Sequence, residues 1–230
     1  MIRSFSSVVV LLVAAACSAP APASSGATAP AVSAGPRTTT TPAAQPAEGL
    51  TITIASGSAV QVAVREQLAA FPAPNDAVLT TDGISGQVTL KDDGTFADGS
   101  KIEVELDGLS SDSDIRDSFV KRTTLRTSRF PSAVLVPTKV EGLTLPLAQG
   151  AFTFTLTGDM TISGVTKETT WTVTGTRAGD VISAKAVNAP AWKFADFGLE
   201  VPRVASVLSI VDEIRLTVTL EGKLLESAGR

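Results

Sequence analysis

Apolar and polar residues alternate with a period of two in six stretches of the chain. Thr51–Ser56 reads TITIAS, and Val60, Val62 and Val64 alternate with Gln61 and Arg65. Ile102, Val104 and Leu106 alternate with Lys101, Glu103 and Glu105. Phe152, Phe154 and Leu156 alternate with Thr153, Thr155 and Thr157, and Trp171 and Val173 with Thr170, Thr172 and Thr174. Leu216, Val218 and Leu220 alternate with Arg215, Thr217, Thr219 and Glu221. Successive side chains of a strand point to opposite faces, so each stretch predicts a strand with one dry and one wet face. The β-branched residues that dominate these runs suit a pleated surface. Asp82-Gly83, Asp93-Gly94, Asp98-Gly99, Ser163-Gly164 and Gly179-Asp180 are tight-turn dipeptides between them. Short antiparallel strands with such turns predict an all-β sandwich or barrel.

One stretch breaks the pattern. Ser110–Leu125 reads SSDSDIRDSFVKRTTL. Ser110 or Ser111 suits a helix N-cap, and Asp112 and Asp114 suit the positive end of the helix dipole. Ile115 and Phe119 share a face at a spacing of four, and Lys121 and Arg122 suit the C-terminal end. The expectation is a short helix from about Ser113 to Arg122, lying over one mouth or edge of the sheet.

The amino-terminal 48 residues follow neither pattern. Arg3 precedes the apolar run VVVLLVAAA, Val8–Ala16, which is too short to span a bilayer and fits a signal peptide over residues 1–16. Ala14, Ala15 and Ala16 lead into Cys17, an arrangement that resembles the lipobox of bacterial lipoproteins, with Ala14 where leucine is usual. The implied product is a diacylated Cys17 anchored to the outer side of the cell membrane; two acyl chains anchor stably where one does not. An ordinary secretory signal with an incidental Cys17 is the alternative, disfavoured because the only cysteine falls where the motif wants it. Ser18–Glu48 is almost entirely Ala, Pro, Ser, Thr and Gly, with Arg37 and Glu48 its only charges. Such a segment cannot bury enough apolar surface to fold, so residues 17–48 are expected to be a disordered tether. The folded domain is then expected over residues 49–222, with 223–230 a tail.

Composition removes several function classes. The net charge is −4, with no histidine, no tyrosine and one cysteine. An acidic domain has no general attraction to nucleic acid. Without histidine there is no imidazole base or His-based zinc site, and one cysteine makes no internal disulfide. Asp112, Asp114 and Asp117 cluster where acids stabilise a helix start, and their spacing is not that of an EF-hand. No nucleophile elbow or phosphate-cradling glycine loop is present. The reading is therefore a non-enzyme with no cofactor and no metal.

Three blocks resemble the YceI family, the lipocalin-like polyisoprenoid-binding domain. The first, Asp112–Pro131, places Arg116 and Asp117 on the helix and an aromatic-proline, Phe130-Pro131, beyond it. The second, Phe154–Trp171, reads FTLTGDMTISGVTKETTW and is the most specific. The third is FADFGL, Phe194–Leu199, followed by a strand around Asp212–Leu220. The resemblance runs from about Gly49 to Gly222. It departs at Ser163, where the family has histidine, and at Ser58–Leu68, where the usual first-strand pattern is missing.

The resemblance implies an extended eight-stranded antiparallel barrel with one short covering helix and a long isoprenoid chain inside. Residues suited to line such an interior are Phe119, Leu125, Phe130, Phe152, Phe154, Trp171, Trp192, Phe194 and Phe197. Lys121, Arg122, Arg126, Arg129 and Lys139 form a basic segment without an acid between Ser118 and Lys139. Arg122, Arg126 and Arg129 are candidate contacts for a phosphorylated head group, and a solvated surface is the plainer account of them. For Arg116 the plainer account is a helix-to-sheet salt bridge. Two functions fit: a membrane-anchored carrier of an isoprenoid-like lipid (polyprenyl phosphate or quinone), or an envelope interaction module whose barrel is filled by its own side chains. The interior volume separates them.

Overall fold

The computed structural model describes residues 49–226. The expected signal peptide, Cys17 and tether lie outside the described residues. Within them the chain forms β1 (Leu50–Ile54), β2 (Ala59–Leu68), β3 (Asn75–Thr81), β4 (Ile84–Leu90), β5 (Lys101–Glu105), α1 (Asp114–Phe119), β6 (Ser132–Glu141), β7 (Gly150–Ile162), β8 (Val165–Ala178), β9 (Val181–Asn188) and β10 (Val207–Glu226).

The ten strands make eight passes. β1 and β2 both pair with β10, and their partners β4 and β3 pair with them in the same order. Thus β1–β2 and β3–β4 are each one long strand with a kink. From β4 each strand pairs antiparallel with the next through to β10, and β10 pairs back onto β1 and β2. The result is the expected closed eight-stranded antiparallel barrel with one short helix. Closure leaves no sheet edge open.

Asp82-Gly83 is a correction to the turn reading: the dipeptide kinks one pass and does not reverse it. The Gly83 N–H donates to Thr81 Oγ1 at 3.0 Å, and the Ile84 N–H to the Asp82 carbonyl at 2.8 Å. The kink re-aims the strand so that a long ribbon can curl into a narrow barrel. The last strand is also longer than expected. It continues past Gly222, with Leu50 opposite Glu226 and Thr53 opposite Lys223.

Ser163-Gly164 is the two-residue hairpin turn expected. Ile162 and Val165 pair across it, and both turn residues have positive φ, 50° and 81°. That geometry matches the right-handed twist of the flanking strands. Ser163 also donates its hydroxyl to the Leu125 carbonyl at 2.9 Å, pinning the hairpin to the end of the helical segment. A Cβ at Gly164 would lie 2.8 Å from Phe130 Cε1. Gly164→Val is expected to store about 1–3 kcal/mol of backbone strain, and the clash adds to it. The melting temperature should fall by roughly 3–10 °C, and thermal denaturation reads this directly.

The helix is shorter than expected. α1 gives way to one π-helical turn, Val120–Leu125, and Arg126 at φ 55° ends it. Ser113 is the N-cap, its hydroxyl accepting from the Arg116 N–H at 3.4 Å. Ser111 serves Asp117 instead, donating its hydroxyl at 2.6 Å and its N–H at 3.0 Å. Burial raises the Asp117 pKa, and the two Ser111 hydrogen bonds outweigh it, holding the carboxyl below its ordinary value. Arg116 makes the helix-to-sheet salt bridge, to Glu66 on β2 at 2.8 Å, and it also pairs with Asp112.

Candidate ligand-binding chamber

The alternating residues point inward as the pattern requires, yet they do not fill the barrel. Two apolar chambers run along its axis. The upper one has a volume of about 550 Å³ and the lower about 150 Å³. Ordinary interiors hold few voids larger than a water molecule, whereas small-molecule sites begin at about 300 Å³. The two share Val60, Val104, Ala133, Met160 and Leu216, which form a waist between them.

The strand directions give the barrel two unlike ends. The β2–β3 loop, α1, the β7–β8 hairpin and the start of β10 gather at one end. The start of β1, the β8–β9 turn and the end of β10 gather at the other. That second end is closed by a cluster of Leu50, Leu90, Leu147, Ile182 and Leu224. The upper chamber reaches the surface at the first end, between exposed Ala69 and Ala70, Ile115 on α1, and the Pro202–Val204 segment. The mouth therefore faces away from the end at which residue 49 enters.

Most of the expected lining residues are brought together. Phe119, Leu125, Trp192, Phe194 and Phe197 line the upper chamber. Phe152, Phe154 and Trp171 line the lower one. Trp171 and Trp192 meet edge to face with centroids 5.2 Å apart, and Phe197 sits 5.0 Å from Trp192. These pairs make a stiff aromatic wall. The Trp171 N–H is satisfied by Thr169 Oγ1 at 3.1 Å. Buried Asn188 joins β9 to β10, donating to the Ile214 carbonyl and accepting from the Leu216 N–H.

Phe130 lines neither chamber. The left-handed residue Arg126 turns the chain away from the mouth, and Phe130 packs outside against the hairpin. Arg126 and Arg129 lie over its ring, at 5.3 and 5.1 Å from the centroid. Arg122 bonds back to the Ser118 carbonyl. All three arginines are exposed and outside the chamber walls. The arginine that does line the upper chamber is Arg116, already held by Glu66 and Asp112.

The chamber's polar lining is confined to residues near the mouth, Glu66, Asp112, Ser113, Arg116, Thr124 and Ser206 among them. Thr124 Oγ1 is buried and has no hydrogen-bond partner among the described residues. Buried hydroxyls are normally paired, so this one offers a hydrogen bond to a guest. Sequence reasoning missed Thr124 and the small wall residues Ala77 and Ala133. Alternation marks such positions as inward-facing, and nothing in the pattern marks them as lining a void. Among the described residues no group of three or more metal-ligating side chains is gathered.

A family model described as the YceI-like domain matches residues 54–222. No curated protein matches the chain. Among solved structures, a polyisoprenoid-binding domain from Saccharophagus degradans, implicated in plant cell wall breakdown, matches with a TM-score of 0.58 at 15% identity. The match covers 75% of this chain and 97% of that one. BcnA of Burkholderia cenocepacia matches with a TM-score of 0.53 at 17% identity, over 71% of this chain and 95% of that one. The YceI protein of Campylobacter jejuni matches with a TM-score of 0.50 at 15% identity, over 68% and 90%. At these identities the solved structures share the fold.

Proposed function

Because this chain belongs to the YceI-like domain family, we propose that its barrel binds one long apolar lipid of isoprenoid type. The chain of the lipid lies through both chambers and its polar end lies at the mouth. The observation that carries this reading is the pair of adjoining apolar chambers, about 550 and 150 Å³, inside a closed barrel. A likeness in fold to a solved polyisoprenoid-binding domain supports the same class of guest. The lining also discriminates between head groups. Glu66 and Asp112 already engage Arg116, the one cation of the lining, so it is not left to receive a phosphate. An uncharged carbonyl or hydroxyl would meet Thr124. A quinone or prenol therefore suits the site better than a polyprenyl phosphate.

The protein acts as a carrier or buffer of this lipid, without catalysis. It does so outside the cytoplasmic membrane, held to the outer side of the cell membrane by a diacylated Cys17, with the segment 18–48 as its tether. The test is mass spectrometry of an organic extract of the purified protein. A co-purifying isoprenoid in near-stoichiometric amount is expected. An extract without lipid, together with no binding of added quinone at micromolar concentration, would return the protein to the interaction-module reading.

A further inference from the structure

The opening of the upper chamber is rimmed by apolar side chains that face water. Four large apolar residues are more than half exposed among the described residues: Ile115 at 82%, Leu208 at 68%, Leu225 at 65% and Phe71 at 58%. Leu225 lies near the closed end. The other three sit on three segments around the mouth. Ile115 is on α1 and lines the chamber even while exposed. Phe71 is in the β2–β3 loop, and Leu208 is at the start of β10. The last two are on adjoining segments: Leu68 is in register with Val207, and the Phe71 N–H turns back to the Leu68 carbonyl at 3.2 Å. Single exposed apolar residues need no explanation; three around the one mouth of an apolar chamber form a patch that marks a contact surface.

We propose that the Phe71–Ile115–Leu208 rim inserts into the interfacial layer of a lipid bilayer, so that a guest passes from bilayer to chamber without crossing water. This rests on the carrier reading. Two further observations favour a bilayer with no charge requirement. The mouth segments carry both signs, Asp112 and Asp114 beside Lys121, Arg122 and Arg203, so they present no one-sign field to a charged polymer. The chain also enters the barrel at Gly49, at the end opposite the mouth. Residues 18–48 separate Cys17 from that point, and 31 residues reach at most about 100 Å. The 20 residues of β10 run about 66 Å. A chain held at Cys17 is therefore long enough to let the barrel invert and set its mouth on the membrane that holds it.

The experiment uses the full-length lipidated chain in phosphatidylcholine vesicles, with an environment-sensitive fluorophore at Ser206→Cys on the rim or at Asp180→Cys near the closed end. Brominated phosphatidylcholine should quench the dye at 206 at least fivefold more than the dye at 180. Added salt should leave the difference unchanged. Adding Phe71→Ser and Leu208→Ser, neither of which lines a chamber, should abolish the difference. It should also slow uptake of a quinone from vesicles at least tenfold, while binding of quinone supplied from ethanol stays equal. Equal quenching at both positions, or a difference that survives the double substitution, overturns the docking proposal. If neither protein takes up quinone by either route, the carrier reading fails, and the quenching still decides docking by itself.

Discussion

Ala133→Phe is expected to abolish binding of long isoprenoid chains while sparing short ones. Ala133 is buried on β6, opposite Val104, and belongs to the walls of both chambers. A phenyl ring there grows into the waist. Overfilling a packed core costs about 1–3 kcal/mol, but this ring enters a void, so the fold should persist. The lower chamber is then sealed from the upper. One five-carbon isoprene unit denied to it forfeits about 4 kcal/mol of burial, or roughly a thousandfold in Kd. A chain short enough to stay in the upper chamber loses little. Titration of a short and a long quinone against both proteins makes the comparison. Equal loss for both would mean that the ring disturbs the mouth or the fold. Unchanged binding of the long chain would mean that the lower chamber holds none of it.

Ending the chain at Gly222 is expected to unfold the domain, whereas ending it at Glu226 should leave the melting temperature unchanged. Residues 223–226 pair with β1 across the closing seam. Leu224 among them is 4% exposed, inside the cluster that seals the lower end. Losing one buried leucine costs about 2–5 kcal/mol, against a total stability of about 5–15 kcal/mol. Losing the seam as well bares an edge of β1. Circular dichroism on the two shortened chains reads the outcome. A stable, closed barrel ending at Gly222 would show that the seam is dispensable.

The strands most legible in the sequence are those whose inward residues are large and whose outward residues are polar. β7, with Phe152, Phe154 and Leu156 against threonines, is one, and the inward residues of β5, β8 and β10 obey the same rule. β6 and β9 escaped that reading. β6 runs Val134-Leu135-Val136-Pro137 with Val136 exposed, and its register shifts after Pro137. β9 faces inward with small alanines and outward with exposed Val181 and Val187. In both, the wet face carries apolar residues, so the period of two is blurred. β3 and β4 escaped because a kink and a turn use the same dipeptide, Asp-Gly. The hairpin at Ser163-Gly164 was legible because its dipeptide and its flanking strands agree.

The site shows a similar division. Aromatic walls can be inferred from residue type, and eight of the nine expected residues line a chamber. Phe130 follows a left-handed turn that residue type does not announce. The charge run from Lys121 to Lys139 was visible too, but its direction was not. Arg126 and Arg129 lie over the Phe130 ring, outside the chamber walls, while Arg116 turns toward the barrel because buried Glu66 is there to receive it.

The seam between β1–β2 and β10 joins the first strands of the domain to the last. Until β10 is in place, β2 and β9 both carry bare edges, and the surface that will line the chambers faces water. The contacts that end this state are among the most distant in the sequence, which makes barrel completion a slow, late event. A fragment that stops before β10 therefore has a sticky open sheet and no interior. Enclosure arrives all at once with the twenty residues of β10, so the domain gains its container only once that strand has joined both of its neighbours.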